Sequence, residues 1–224
     1  MGLFHRSLPM LISEGYFYHI SDSFFQLAAD GTLMSNYENG HYRPHFLAVK
    51  DPKNSAIFWM IPVSSRYAKF LGIYDKQVKK YGRCTKIVLG NCGGKDAAFL
   101  IQNAFPVTAD FFDHIHTSQG QPLTLHEGTA KTIVSNLHNN LKLHRRGIRL
   151  FFADIDRIYH LMEEHLASVD ANAQATNRNQ PVAIGNIIRQ KLDEELQKGI
   201  DSLNSGSFTA DEVDKILNGE KSKT

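Results

Sequence analysis

His41–Ser65 reads HYRPHFLAVKDPKNSAIFWMIPVSS, two apolar runs joined by a polar Asp-Pro-Lys-Asn-Ser turn. Short runs rich in Val, Ile, Phe and Trp, bounded by turn residues, predict two antiparallel strands, Pro44–Lys50 and Ala56–Ile61. Proline has no N–H to give a sheet ladder, so Pro62 is expected to end the second strand. Hydroxyl, imidazole and cationic side chains then fall at strand ends.

The same stretch opens a basic block. His41 to Lys95 holds eleven Lys or Arg against two Asp, a local charge of +9, whereas the rest of the chain carries −7 and the whole only +2. Such asymmetry predicts a polyanionic partner such as RNA or DNA. Arg43, Lys50, Arg66, Lys76, Lys79, Lys80 and Arg83 are its candidate contacts, with Ser64 beside them. Each lysine taken singly also fits an ordinary solvated face.

Upstream, GYFYHI (Gly15–Ile20) is β-prone, Ser21 is placed to cap a short helix through Phe24, Phe25 and Leu27, and Asp30–Gly40 reads as a loop. Downstream, Phe70, Ile73, Tyr74 and Val78 recur at helical spacing while the lysines fall elsewhere, predicting a basic amphipathic helix over Arg66–Tyr81. Cys84–Leu89 and Ala97–Ile101 read as strands around GNCGGK, a turn that lacks the spacing of a phosphate-binding loop. Helices are expected over Thr108–His114, Glu127–Arg146 and Asp154–Leu166. Residues 1–166 thus form a core and 167–181 an Asn-rich linker. Residues 182–224 form a helical extension whose apolar stripe must pack on the core, on a second copy as a homo-oligomer, or on a partner. The class is α+β.

Composition narrows the compartment. No apolar run approaches the roughly 18 residues of a membrane span, and GLFHRSLPMLI near the start lacks the apolar length and cleavage pattern of a signal peptide. Two cysteines, Cys84 and Cys92, are too few for a secreted disulfide scaffold, so a cytoplasmic protein is expected. His114 and His116 alternate as metal ligands can, but an alternating pair is weak evidence for a site, and no metal or other cofactor is expected.

At Arg43-Pro44-His45-Phe46 and Ile61-Pro62-Val63-Ser64-Ser65-Arg66 the sequence resembles the ToxN/AbiQ/CptN endoribonucleases, the toxins of type III toxin-antitoxin systems. FYHIS, RPHFLAV, FWMIPVSS, a basic segment and AAFLIQNAFPVT follow in that family's order over about residues 15 to 165. The resemblance implies a compact, strongly bent antiparallel sheet with flanking helices, like the MazF-type toxins. It also implies metal-independent RNA cleavage, a role in phage defence, and an RNA antitoxin. Ser65 matches the family's functional serine. Arg66-Tyr67 stands where a Pro-Lys pair often follows that serine, and His45 where a tyrosine is frequent, so the cation is expected from Arg66 or Lys69.

The residue types fit that chemistry. A metal-independent ribonuclease must deprotonate the 2′-hydroxyl, protonate the leaving 5′-oxygen and stabilise the phosphorane. His45 and Tyr18 are the expected proton carriers; Ser64, Ser65, Arg66 and Lys69 hold the phosphate. The same residues also admit blander readings: Ser64-Ser65 as a self-bonded turn, and His45 and Tyr18 as core side chains. A non-catalytic RNA-binding module would use the same surface. The residues after Gln180 leave room for control by a protein antitoxin or by the chain's own C-terminal helices.

Overall fold

A computed structural model describes residues 12–38 and 40–172; the expected linker beyond 172 and the helical extension lie outside them. The chain divides into two units, 1–166 and 167–224. Seven strands of the first unit form one antiparallel sheet: β1 (Phe17–Ile20), β4 (His45–Lys50), β5 (Ile57–Ser64), β6 (Ile87–Cys92), β7 (Lys95–Leu100), β8 (Phe105–Thr108) and β9 (Phe112–Ile115). Their order is β6-β7-β5-β4-β1-β9, with β8 pairing β5 off that path. β2 (Tyr37–Glu38), in the expected loop, and β3 (His41–Tyr42), just past it, form a small hairpin, and β10 (Thr117–Ser118) pairs β11 (Gln121–Pro122).

The strongly bent sheet is not what the chain forms. Its path is open, with β6 and β9 at its two ends, and it neither closes nor curls strongly. Helices cover both faces instead. On one, α1 (Asp22–Ala28) sets Phe25 6.1 Å from the His45 ring and Phe24 4.9 Å from Phe105. On the other, α3 (Glu127–His144) buries Ile133, Leu137 and Leu141 and shares a cleft with Phe46, the neighbour of His45. Alternation along β4 thus serves two layers.

β5 is the central strand, buried over all eight of its residues. It runs straight through Pro62, contrary to the expected stop. Val63 N–H turns toward the carbonyl of Pro44, just before β4, so the missing N–H of Pro62 faces the other side. There β5 leaves β8 at Met60 and meets β7 only at Val63, so proline falls where no ladder partner exists. The expected helix over Thr108–His114 is a 3-10 turn leading into β9, whose Ile115, His114 and Phe112 pair with β1. The β6–β7 hairpin closes on Gly93 and Gly94, both at positive φ, which two glycines adopt without steric cost.

α2 (Tyr67–Tyr81) forms as its spacing requires and lays Phe70 on Ile87, Ala98 and Leu100. A last helix, α4, covers residues 155–172, so the first residues of the expected linker are helical. It is tied to the β4–β5 turn through Asp51, a buried carboxylate accepting from Trp59 Nε1 at 2.9 Å, Tyr159 Oη at 3.0 Å and the Lys53 and Asn54 amides. Burial raises the Asp51 pKa, but these bonds outweigh it and hold the group below the usual carboxylate range. Asp51→Ala strands all four donors. It is expected to lower the unfolding free energy by about 3 kcal/mol, read from denaturation of the single tryptophan, Trp59; an unchanged midpoint would exclude this network as a clamp.

Candidate nucleic-acid interface

The chain leaves the sheet at Ser65. Ser64 is buried and its Oγ accepts from Arg66 N–H at 3.3 Å, while Tyr67 N–H donates to the Ser65 carbonyl at 2.8 Å. The strand thereby turns sharply into α2 and pushes the Ser65 side chain into solvent. Among the described residues no hydrogen bond engages Ser65 Oγ. Arg66, the N-cap of α2, makes no side-chain cap, and the first turn holds no acidic residue. Apart from the Tyr67 N–H, which the Ser65 carbonyl takes, the helix presents its first-turn N–H groups and positive dipole end beside a free hydroxyl, an arrangement suited to an anion. Lys69 is exposed one turn on, and Lys76, Lys79, Lys80 and Arg83 are exposed along α2 and just past its end.

The other expected residues are placed differently. His45 is fully buried, and among the described residues neither ring nitrogen makes a hydrogen bond of good geometry. Burial chiefly, helped by the Arg43 guanidinium and by His19, pushes its pKa down to about 3. Tyr18 sits opposite His45 in the β1–β4 register, is equally buried, and bonds through its hydroxyl to the Ser13 backbone, with burial raising its pKa. Neither side chain can touch an RNA in this arrangement. Arg43 is also interior, donating to the Val63 carbonyl at 2.8 Å and to Ser35 at 3.0 Å, and so braces the strand that carries Ser64 and Ser65. Lys50 lies over Phe58 at the other end of β4, pairing with Phe58 where His45 pairs with Pro62. It is remote from Ser65.

Two features were not foreseen. Beside α2, Lys69, Lys86, Gln102, Asn103 and Phe152 line a groove of about 450 Å³; the sequence signal is the Gln-Asn pair interrupting the apolar run AAFLIQNAFPV. On the β1–β9 edge, His19 Nε2 lies 2.9 Å from His116 Nδ1 and its ring stacks on His114, which bonds Asp113. Burial first, then His114 and His116, lowers the His19 pKa to about 4. Among the described residues no three His, Cys, Asp or Glu are arranged to hold a metal ion. Both cysteines are free thiols, and burial pushes Cys92 up to about 11. No described helix is long and apolar enough to cross a membrane.

No family model matches the sequence, and no curated protein matches it significantly. Solved structures do match in fold. AbiQ, described as a lactococcal anti-phage endoribonuclease of the type III toxin-antitoxin system, superposes with a TM-score of 0.54 at 11% identity, over 69% of this chain and 99% of its own. A structure from work on a processed non-coding RNA that regulates a bacterial antiviral system gives 0.46 at 12% identity, over 66% and 95%. One from work on selective inhibition of a type III toxin by an RNA pseudoknot gives 0.34 at 16%, over 67% and 75%. The likeness to AbiQ is one of fold, and the fold of this chain thus resembles that of a type III toxin-antitoxin toxin.

Proposed function

We propose that the protein is a metal-independent, sequence-preferring endoribonuclease toxin of a bacterial toxin-antitoxin system, with its phosphate site at Ser65. The observation that carries this reading is the exposed, unbonded Ser65 hydroxyl at the uncapped, acid-free start of α2, flanked by Arg66 and Lys69. The AbiQ-like fold supports it. Ser65 Oγ and the α2 amides hold the scissile phosphate, Arg66 and Lys69 offset charge that grows on its oxygens, and the lysines along α2 carry the flanking backbone.

The neighbouring 2′-oxygen then attacks phosphorus. Its bond to phosphorus forms as the bond to the 5′-oxygen breaks, the 2′-hydroxyl proton leaves to a base, and the 5′-oxygen gains a proton. The products are a 2′,3′-cyclic phosphate and a 5′-hydroxyl. Because His45 and Tyr18 are interior, this reading gives them to the core and routes both protons through solvent-facing groups. An antitoxin, of RNA as in the resembling family or of protein, would silence the toxin by covering the same cationic corner.

Purified protein incubated with total bacterial RNA in EDTA tests the reading. Discrete cuts ending in cyclic phosphates are expected. RNA that binds but stays intact would instead make this surface a binding module.

A further inference from the structure

We propose that the groove beside α2 is a pocket for one unpaired nucleobase of the RNA, read by Gln102 and Asn103 and stacked by Phe152, with Lys69 and Lys86 on the adjoining phosphate. This inference rests on the RNA reading of the neighbouring Ser65 corner and names what sets its sequence preference.

Gln102 and Asn103 occupy the 3-10 turn after β7 and are only 8% and 7% exposed. No hydrogen bond joins either side-chain amide to another described residue, yet both line the groove. Elsewhere the side-chain amides of Asn36 and Asn140 are tied into the fold through Nδ2, Asn36 to the Ile20 carbonyl at 2.9 Å and Asn140 to the Thr85 carbonyl at 2.9 Å, though Oδ1 of each is buried without a partner among the described residues. Both amides open into the groove and spend no hydrogen bond on another described side chain, so the pair is left available to a ligand that supplies the complementary donors and acceptors. A primary amide offers one donor and one acceptor edge side by side, the match for the edge of a base.

The rest of the groove fits the same ligand. Phe70, Ile73 and Leu100 give an apolar floor, and the volume of about 450 Å³ is that of a small-molecule site. Phe152 is 56% exposed, large for a phenyl ring. Its backbone is pinned on both sides, N–H to the Gln102 carbonyl at 2.9 Å and carbonyl to Thr32 Oγ1 at 3.0 Å, so the ring is held beside the amides as a stacking surface. Lys86 is held there as well, its carbonyl accepting from Gln102 N–H at 3.1 Å. No acidic residue among the described ones lines the groove, and Lys69 links it to the phosphate corner. Base edges specify and phosphate contacts position, so the amides and the lysines should separate experimentally.

The test is titration of full-length Ser65→Ala protein with the uncut hexanucleotides rA6, rC6 and rU6. One is expected to bind at least about tenfold more tightly than the weakest. In that background Gln102→Ala with Asn103→Ala should shrink the preference to under about threefold, whereas Lys86→Ala should weaken all three alike and reduce the salt dependence. Phe152→Ala, at an exposed ring that leaves the core intact, should weaken the preferred oligomer most. Equal binding of the three, or a preference that survives in these variants, overturns the pocket and leaves the RNA reading standing. Absence of any RNA binding overturns both.

Discussion

Ser65→Ala is expected to cut RNA about 10²- to 10³-fold more slowly than the parent, a loss of roughly 3–4 kcal/mol of transition-state stabilisation, while uncut RNA should still bind within about threefold. The split follows from the geometry. Ser65 Oγ has no competing bond among the described residues and, in the proposed reaction, would be worth most when phosphorane charge develops, whereas ground-state affinity would come from the α2 dipole and its lysines, which the substitution leaves in place. Ser64→Ala is the control. Its buried hydroxyl bonds the Arg66 amide, so its loss should lower the melting temperature and slow cutting by less than tenfold. Rates of single-turnover cleavage and filter-binding affinities measured on the same preparations check both. Equal cutting by parent and Ser65→Ala would remove Ser65 from the chemistry.

The strand pair around Asp-Pro-Lys-Asn-Ser, the Ser21 cap and the basic face of α2 were legible in the sequence because each rests on local spacing. The misread elements were decided by neighbours. Phe112–Ile115 becomes a strand because β1 offers it an edge, and Pro62 stays in β5 because the adjoining strands leave a gap opposite it. An open sheet results because helices on both faces supply the layers that strong curling would otherwise have to provide.

The candidate site divides in the same way. Ser65, Arg66 and Lys69 are consecutive enough for a motif to name them. Residue type alone, however, could not show that Arg43, His45 and Tyr18 face inward. The groove gathers Lys69, Lys86, Gln102 and Phe152 from four separate segments, a convergence that no one-dimensional pattern displays.

Between pH 7 and pH 5, His45 and His19 are expected to remove about 4 kcal/mol of stability, about 2 each, and His116, also lowered chiefly by burial and then by His114, adds to the loss. Burial leads in both cases, with Arg43 then His19 acting on His45, and His114 then His116 on His19, to hold the folded-state values at about 3 and about 4, against 6.5 for an unperturbed ring. The sign follows. In the folded protein both rings stay neutral across this window, while in the unfolded chain both take up protons below about pH 6.5. The unfolded state therefore binds more protons and gains on the folded one as pH falls. The contribution is complete above about pH 7 and is lost at about 1.4 kcal/mol per pH unit per ring. The loss continues until the pH reaches each folded-state value. Asp30 and Asp51, held below the usual carboxylate range, add their losses only under about pH 4 and so stay out of the window. Urea denaturation followed by Trp59 fluorescence at the two pH values measures the difference. His45→Phe, which puts an uncharged ring among Phe25 and Phe105, should remove about half of it. An equal pH dependence in parent and variant would mean that the buried imidazole is not what couples folding to protons, and that His45 reaches solvent and stands available for the proton transfers the core assignment denies it.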